Sequence, residues 1–419
     1  MISKINEKMN IILRLILMSF PVFIILGPFA LNCFSLIFSL YAIINFKKFK
    51  KFKIFNEKII IFFFSFIILI FPFESIDFDN AFLYYLSFFR FVLMLFGIII
   101  FIDKENKKNN ILFKIYKSYV LILTVILIDV LVEYFSGYNL LGYSSEYIGR
   151  IASFTNDELI IGYISSFLIL FTLGFILKKT NNFYFFVIIS VFIIISFLIG
   201  ERSNFIKLLI LSITSILILF ICSNKFKTKN LLIIVPLILV LLIAFIETTK
   251  NTKPGKKLYN TFDNLIVKDN NKISLNLKEE FYNSRHAYHY ITAYKIFLEY
   301  PVFGIGINNF FLESSKEKYM IKGYGPASNH PHQIYLEIIS EVGLTGLIYF
   351  VFIFFYPVYL SIKSFRKNKE LILLSHLVLH IFFIFPVLPT GSLFGTNYGI
   401  PFWFNLSILL YLCNNKSKT

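Results

Sequence analysis

Two histidines and three arginines carry most of the chemistry that can be read in this sequence. His330 and His332 flank Pro331 just before an apolar run that begins at Ile334 and is long enough to cross a bilayer. That placement sets both imidazoles at a membrane surface, where lipid-linked substrates are met. Imidazole is also the side chain whose proton affinity suits a general base near neutral pH. Arginine is used sparingly: only Arg14, Arg90, Arg150, Arg202, Arg285 and Arg366 occur among 41 basic residues. Lysine thus serves for ordinary solvation, while Arg150, Arg202 and Arg285 fall in connections expected on the same side of the membrane as His332. A planar, permanently charged guanidinium can grip a diphosphate through two parallel hydrogen bonds. Snorkelling or a structural ion pair, Arg202 with Glu201 for instance, is the blander account of any one arginine. Coincidence on one face with His332 favours binding.

The rest of the chain has to hold these residues at a membrane face. It has 419 residues, 57% hydrophobic and 19% aromatic, with a mean hydropathy of +0.73. That composition belongs to a polytopic membrane protein and not to a soluble domain. The net charge of +17 comes from lysine clusters lying between apolar runs, which is how cytoplasmic loops look, so no nucleic-acid partner is expected. Cys33, Cys222 and Cys413 have no metal or disulfide spacing. The basic start before an apolar run has no cleavage site after it and reads as the first span.

The expected fold is an all-α polytopic bundle of about twelve transmembrane helices, a single membrane domain over 1–419. The apolar runs fall near 11–29, 31–46, 58–73, 81–102, 117–135, 159–177, 184–199, 205–222, 231–247, 334–360, 371–389 and 402–413. Basic clusters at 47–58, 104–108, 178–179, 225–229, 363–369 and 416–418 place alternate loops and both termini in the cytoplasm. Residues 248–333 then form one large external, helical loop. Within it the spacing predicts an amphipathic helix over 283–300, lying on the bundle through Tyr290, Ile291, Tyr294, Phe297 and Leu298 and stopped by Pro301. Gly304 and Gly306 read as turn residues, and Asn308 as the cap of a second short helix through Tyr319.

Other groupings remain open. Glu337 and Glu341, one helical turn apart, could orient His332 or pair with external lysines. Arg90 in the fourth span, with Asp129 and Glu133 in the fifth, fits either a functional cluster or a buried structural pair. His376 and His380 have a four-residue spacing without a third ligand, so packing and interhelical hydrogen bonds explain them better than metal. Asp77 and Asp79 have the spacing of metal-binding carboxylates, but a pair of aspartates in an exposed turn is common. No phosphate-binding glycine loop with its lysine occurs.

With those residues in view, the chain resembles the bacterial O-antigen ligase and O-antigen polymerase superfamily. His332-Gln333, nine residues, Gly343, two residues and Gly346 resembles its histidine and glycine signature. Gly149-Arg150 with Phe154-Thr155-Asn156, Gly200-Glu201-Arg202-Ser203, and Ser284-Arg285 followed by Pro301, Gly304 and Gly306 resemble its external arginine segments, so the ligase-like region runs over 149–346. Gln333 stands where asparagine is frequent, Leu347 where ligases often have threonine, and Glu201 in place of a small residue. The resemblance implies an inverting transfer of a glycan from an undecaprenyl diphosphate carrier to a sugar hydroxyl of a lipid A-core or other glycan acceptor. The site would face the periplasm at the bacterial inner membrane and need no metal or other cofactor. It implies His332 as catalytic base; Arg202, Arg285, Arg150 and His330 as binding residues; and Glu337, Glu341, Gly343 and Gly346 as support. A polymerase with the same donor is the alternative, and a lipid-linked oligosaccharide transporter a third reading, though a transporter should show broken, charged helices in an internal repeat.

Overall fold

The structure is a computed structural model and describes residues 2–47, 57–147, 149–158, 160–222, 256, 260, 266–269, 272–275, 281–282, 285–320 and 328–414. The span expected near 231–247 and much of the 248–333 loop lie outside the described residues. The helices are α1 (Ile2–Met18), α2 (Phe20–Ile25), α3 (Pro28–Asn45), α4 (Glu57–Phe64), α5 (Phe66–Leu69), α6 (Phe78–Asn109), α7 (Ile111–Ser136), α8 (Ile161–Lys179), α9 (Asn182–Leu198) and α10 (Arg202–Cys222). They continue with α11 (Arg285–Glu299), α12 (Phe310–Ser314), α13 (Ile334–Glu341), α14 (Gly343–Asn368), α15 (Leu371–Phe383) and α16 (Thr396–Asn414). The fold is helical with one exception to the all-α expectation. Strands β1 (Ile266–Asp269) and β2 (Lys272–Leu275) pair antiparallel, Ile266 opposite Leu275, in a stretch rich in β-branched residues.

Among the described residues, α3, α6, α7, α8 and α14 are long and apolar enough to cross a membrane, and Ile59–Leu69, Tyr184–Leu198 and Leu371–Phe383 are shorter apolar stretches. Two expected spans are corrected. The run 334–360 is not one helix: α13 ends at Glu341, and Gly343, at φ +61°, restarts the chain as α14. The run 371–389 is helical only to Phe383, because Pro386 and Pro389 cannot donate to a helical ladder.

The chain forms two compact units. The first comprises Met1–Leu26, Asn110–Asn276 and Phe365–Phe382. Here α8 is buried on every side, as expected of a helix apolar all round. Tyr119 and Ser118 of α7 donate through their hydroxyls to the carbonyls of Leu17 and Met18 at the end of α1. Gly174 lets α15 approach α8, since a Cβ there would come 2.3 Å from the Leu371 carbonyl oxygen. His376 and His380 are fully buried in α15. His376 Nε2 lies 2.7 Å from the Tyr116 hydroxyl, with the Phe171 ring edge-on, which is the packing and hydrogen-bonding role expected of it.

The second unit comprises Gly27–Asn109, Leu277–Ser364 and Phe383–Thr419. Its α3 and α6 pack backbone to backbone at Gly97, where a Cβ would meet the Phe38 carbonyl oxygen at 1.9 Å. Interlocked rings fill the core: Phe34 with Phe38 and Phe404, Phe38 with Phe101, and Phe88 with Trp403. Arg90 belongs to this unit and donates to Thr396 Oγ1 with its guanidinium over Phe91. Asp77 caps α6, accepting from the Asn80 N–H through Oδ1.

Candidate functional site

Four of the six histidines meet in the second unit. The His332 ring lies 4.2 Å from that of His330, and 5.4 Å from each of His286 and His289, centroid to centroid. The last two stand three residues apart at the start of α11, the same face of one helix. The Ser328 hydroxyl lies 3.0 Å from His332 Nε2. Burial pushes His332 down from the ordinary 6.5 to about 3, and the imidazoles of His330, His286 and His289 add to the effect. Burial likewise brings His330 to about 4, against a hydrogen bond with the Thr390 backbone that works the other way. His289 is lowered by burial as well. These three rings are therefore neutral bases at neutral pH.

A loop unnoticed in the sequence fixes the position of His332. The residue sits at φ +58°, in the left-handed region that costs a non-glycine residue about 1–2 kcal/mol. Such strain persists only where the surroundings enforce it. The Thr390 N–H donates to the His332 carbonyl at 2.8 Å, Gln333 Nε2 to the Pro386 carbonyl at 2.8 Å, and the Tyr335 hydroxyl to the Ile384 carbonyl at 2.8 Å. The 384–393 loop thus grips the histidine segment from one side. Gln333 Oε1 accepts from the N–H groups of Tyr335 and Leu336, capping α13 at its junction with His332. Glutamine reaches both the helix start and Pro386, which gives this departure from asparagine a physical reason.

Glu337 and Glu341 are buried in α13 and accept hydrogen bonds from neighbouring loops. Glu337 Oε2 accepts from the Leu393 N–H at 2.8 Å, and Glu341 Oε2 from the Asn308 N–H at 3.0 Å. These bonds tie the 384–393 loop and the turn before α12 to α13. The glycines do related work. The backbone from Pro301 to Gly306 runs along the α13 to α14 junction: Ile305 N–H donates to the Ser340 carbonyl, Gly306 N–H to that of Glu341, and Leu344 N–H to that of Pro301. A Cβ on Gly343 would come 2.3 Å from the Val302 carbonyl oxygen, and one on Gly304 2.4 Å from the Glu341 carbonyl carbon. A Cβ on Gly346 would meet the Val342 side chain at 2.2 Å. Gly304 is therefore more than a turn residue.

Two details of the external segment are corrected. The buried face of α11 is formed by Ala287, Tyr288, Thr292, Ala293 and Ile296, packed toward α12 and α13, while Tyr294 and Leu298 are exposed. Small alanines allow that close approach, and a pattern weighted by large apolar residues misses it. Asn308 adopts φ +64°, and Asn309 occupies the N-cap position of α12. The Asn309 side chain instead donates to Ser75 Oγ and to the Asp77 and Ile305 carbonyls.

The first unit brings the Arg150 and Arg202 segments together. The Ile151 N–H donates to the Ile199 carbonyl at 3.0 Å, and Gly200, at φ +81°, leaves room for the Gly149 carbonyl where a Cβ would come within 2.2 Å. Both arginine side chains are exposed. Buried Glu201 accepts from the Gly162 N–H at the start of α8 and from Asn204 Nδ2. Burial raises its carboxyl, against these donors and the Arg150 charge. Asp129 and Glu133 hold the same segment: Asp129 accepts from the Leu140 N–H and the Ser153 hydroxyl, Glu133 from the N–H groups of Ala152 and Ser153. Their work is to anchor the 139–153 loop that presents Arg150. The helix carrying Arg285 starts at that residue, one position before His286, but the Arg285 side chain lies outside the described residues.

Residues 185–351 match the family model described as O-antigen ligase. The sequence matches no curated protein. The match contains both the Gly200 to Ser203 turn and the His332 to Gly346 signature, and the helices around it have the length and apolarity of membrane spans. Over residues 185–351, then, this helical chain is similar to the O-antigen ligase family.

Proposed function

We propose that the chain transfers a glycan from a polyprenyl diphosphate carrier, such as undecaprenyl diphosphate, to a sugar hydroxyl of a lipid A-core or other glycan acceptor, with inversion and without a metal. His332 is the base. The observation that carries this reading is the strained, loop-gripped His332, held neutral at the N-terminus of α13 with its Nε2 already within reach of a hydroxyl. As the acceptor oxygen attacks the anomeric carbon, its proton passes to His332. The bond from that carbon to the diphosphate oxygen breaks, and the diphosphate leaves with the electron pair. An imidazole with so low a proton affinity is a weak base. A diphosphate beside it raises that affinity, so the base is strengthened when donor is bound.

Arg285, one residue from His286, is the diphosphate clamp nearest the histidines in sequence. Arg150 and Arg202 keep a donor-binding role on side-chain chemistry alone, and His330 is the fallback base and binding residue. Glu337, Glu341, Gly343 and Gly346 act by holding the backbone that carries His332. The 149–346 region is the functional part, at the bacterial inner membrane with 248–333 and the site in the periplasm and both termini in the cytoplasm. Ligase is favoured over polymerase by the signature through Gly346. Deleting the gene and resolving the surface polysaccharide on a gel tests this. Loss of a ligase leaves long chains on the lipid carrier and none on the mature acceptor, whereas acceptors bearing a single repeat assign the polymerase reaction instead.

A further inference from the structure

His286 and His289 take no part in the transfer described above, yet the structure places both rings against His332. Histidines at such a place are usually explained by a carboxylate partner or by a metal. Among the described side chains the titratable groups facing His332 are His286 and His289 from α11 and His330 from its own segment. The 384–393 loop contributes a backbone N–H from Thr390. Tyr290 stacks against His286, and burial pushes its phenol up to about 12, so it stays neutral. No group of three or more ligands among the described residues has the geometry to hold a metal ion. His289 Nδ1 and His330 Nε2 are buried without a hydrogen-bond partner among the described residues. Buried polar atoms left this way are costly and point to a ligand that satisfies them.

An anion satisfies both the His289 and the His330 nitrogen. A neutral imidazole offers one donor, an imidazolium two, and charge-assisted bonds to phosphate oxygens are about twice as strong as neutral ones. The two rings stand on the first turns of a fifteen-residue helix whose N-terminal N–H groups and dipole also favour negative charge. We propose that His286 and His289 form part of the donor site, where they bind the diphosphate of the lipid carrier and take up a proton from solvent as they do so. This rests on the transfer reading for the identity of the anion. The balance is simple: one imidazole, one solvent proton and one diphosphate give an imidazolium and diphosphate ion pair, and no covalent bond changes. His332 stays neutral beside the pair as the base. Two adjacent imidazolium groups repel, so the cluster holds a single added proton.

The test uses the full chain in detergent or nanodiscs and inorganic pyrophosphate as probe. Calorimetric titration near pH 7 in buffers of different ionisation enthalpy counts the protons taken up on binding. The native protein should take up roughly one proton more than a His286→Asn, His289→Asn double variant, in which pyrophosphate's own titration is the same and cancels. Its affinity for pyrophosphate should also fall more steeply with rising pH than the variant's, by up to about tenfold per pH unit. Equal proton uptake in the two proteins, or no pyrophosphate binding to the native chain, overturns the proposal. If the variant does not fold, a native count no greater than pyrophosphate's own overturns it. The outcome is independent of the base assignment: proton-coupled binding in a protein that still transfers glycan after loss of His332 leaves the anion site standing and removes His332 as the base.

Discussion

The strain at His332 and its ring's burial among other imidazoles have opposite consequences for stability and for reaction. Because the folded protein holds His330, His332 and His289 below the 6.5 of a free histidine, the unfolded chain binds more protons at mildly acid pH. Stability is therefore complete above about pH 6.5 and falls as pH drops toward 4, the reverse of a histidine paired with a carboxylate. Thermal unfolding of the purified protein between pH 7.5 and 4.5 checks this, and a midpoint that rises on acidification would contradict it. At the arginines the expected change is one of geometry at constant charge. Arg202→Lys and Arg285→Lys lose the two-pronged grip and should each cut transfer by at least about tenfold, the equivalent of one lost charge-assisted bond, whereas Arg366→Lys on an exposed helix end should not. His330, His332 and the three arginines stand out in the sequence because their residue types are rare here and their spacing is specific. His286 and His289 were passed over as members of an amphipathic helix. The available signal was two histidines three apart, directly after Arg285, in a chain with six.

At the scale of elements, what positions the site is backbone fitted to backbone. The Pro301 to Gly306 turn lies along the α13 to α14 junction so closely that neither Gly304 nor Gly343 has room for a methyl group. Gly137, at φ +83° but with open space around it, supplies the comparison. Gly343→Ala should lower stability well beyond Gly137→Ala, since both pay the left-handed cost of about 1–2 kcal/mol but only the first adds a backbone clash. Equal shifts in the unfolding midpoint of the two variants would mean that the junction is not packed this way. The helices themselves were mostly legible from apolar runs, and the end of α11 from Pro301. The break at Gly343 was not, because an apolar run carries no sign of a close neighbour. The 384–393 loop was hidden for the same reason, its Val387 and Leu388 extending the apolar run past Pro386. The buried carboxylates Asp129, Glu133, Glu337 and Glu341 read as charges in spans, whereas each caps or ties a loop, a role that depends on which N–H groups the fold brings near.

At the scale of the whole molecule the account depends on orientation. On the proposed topology, with 248–333 outside, an impermeant thiol reagent added to intact spheroplasts of a cysteine-free background should label a cysteine at exposed Glu317 and spare one at exposed Lys367. The opposite pattern would remove the site from the periplasm. Hydropathy and charge alone point to this layout without any motif, while the short α4 and α5 pieces and the division into two compact units needed coordinates. The central claim is that this membrane protein uses the His332 imidazole to deprotonate the acceptor in a transfer from a lipid diphosphate. Its most direct test is reconstituted transfer of a glycan from a polyprenyl diphosphate donor by native and His332→Asn protein, matched for folding and for pyrophosphate binding. The account predicts a loss of about a hundredfold to ten-thousandfold in kcat, the span ordinarily supplied by a general base; transfer by the variant at the native rate would contradict it.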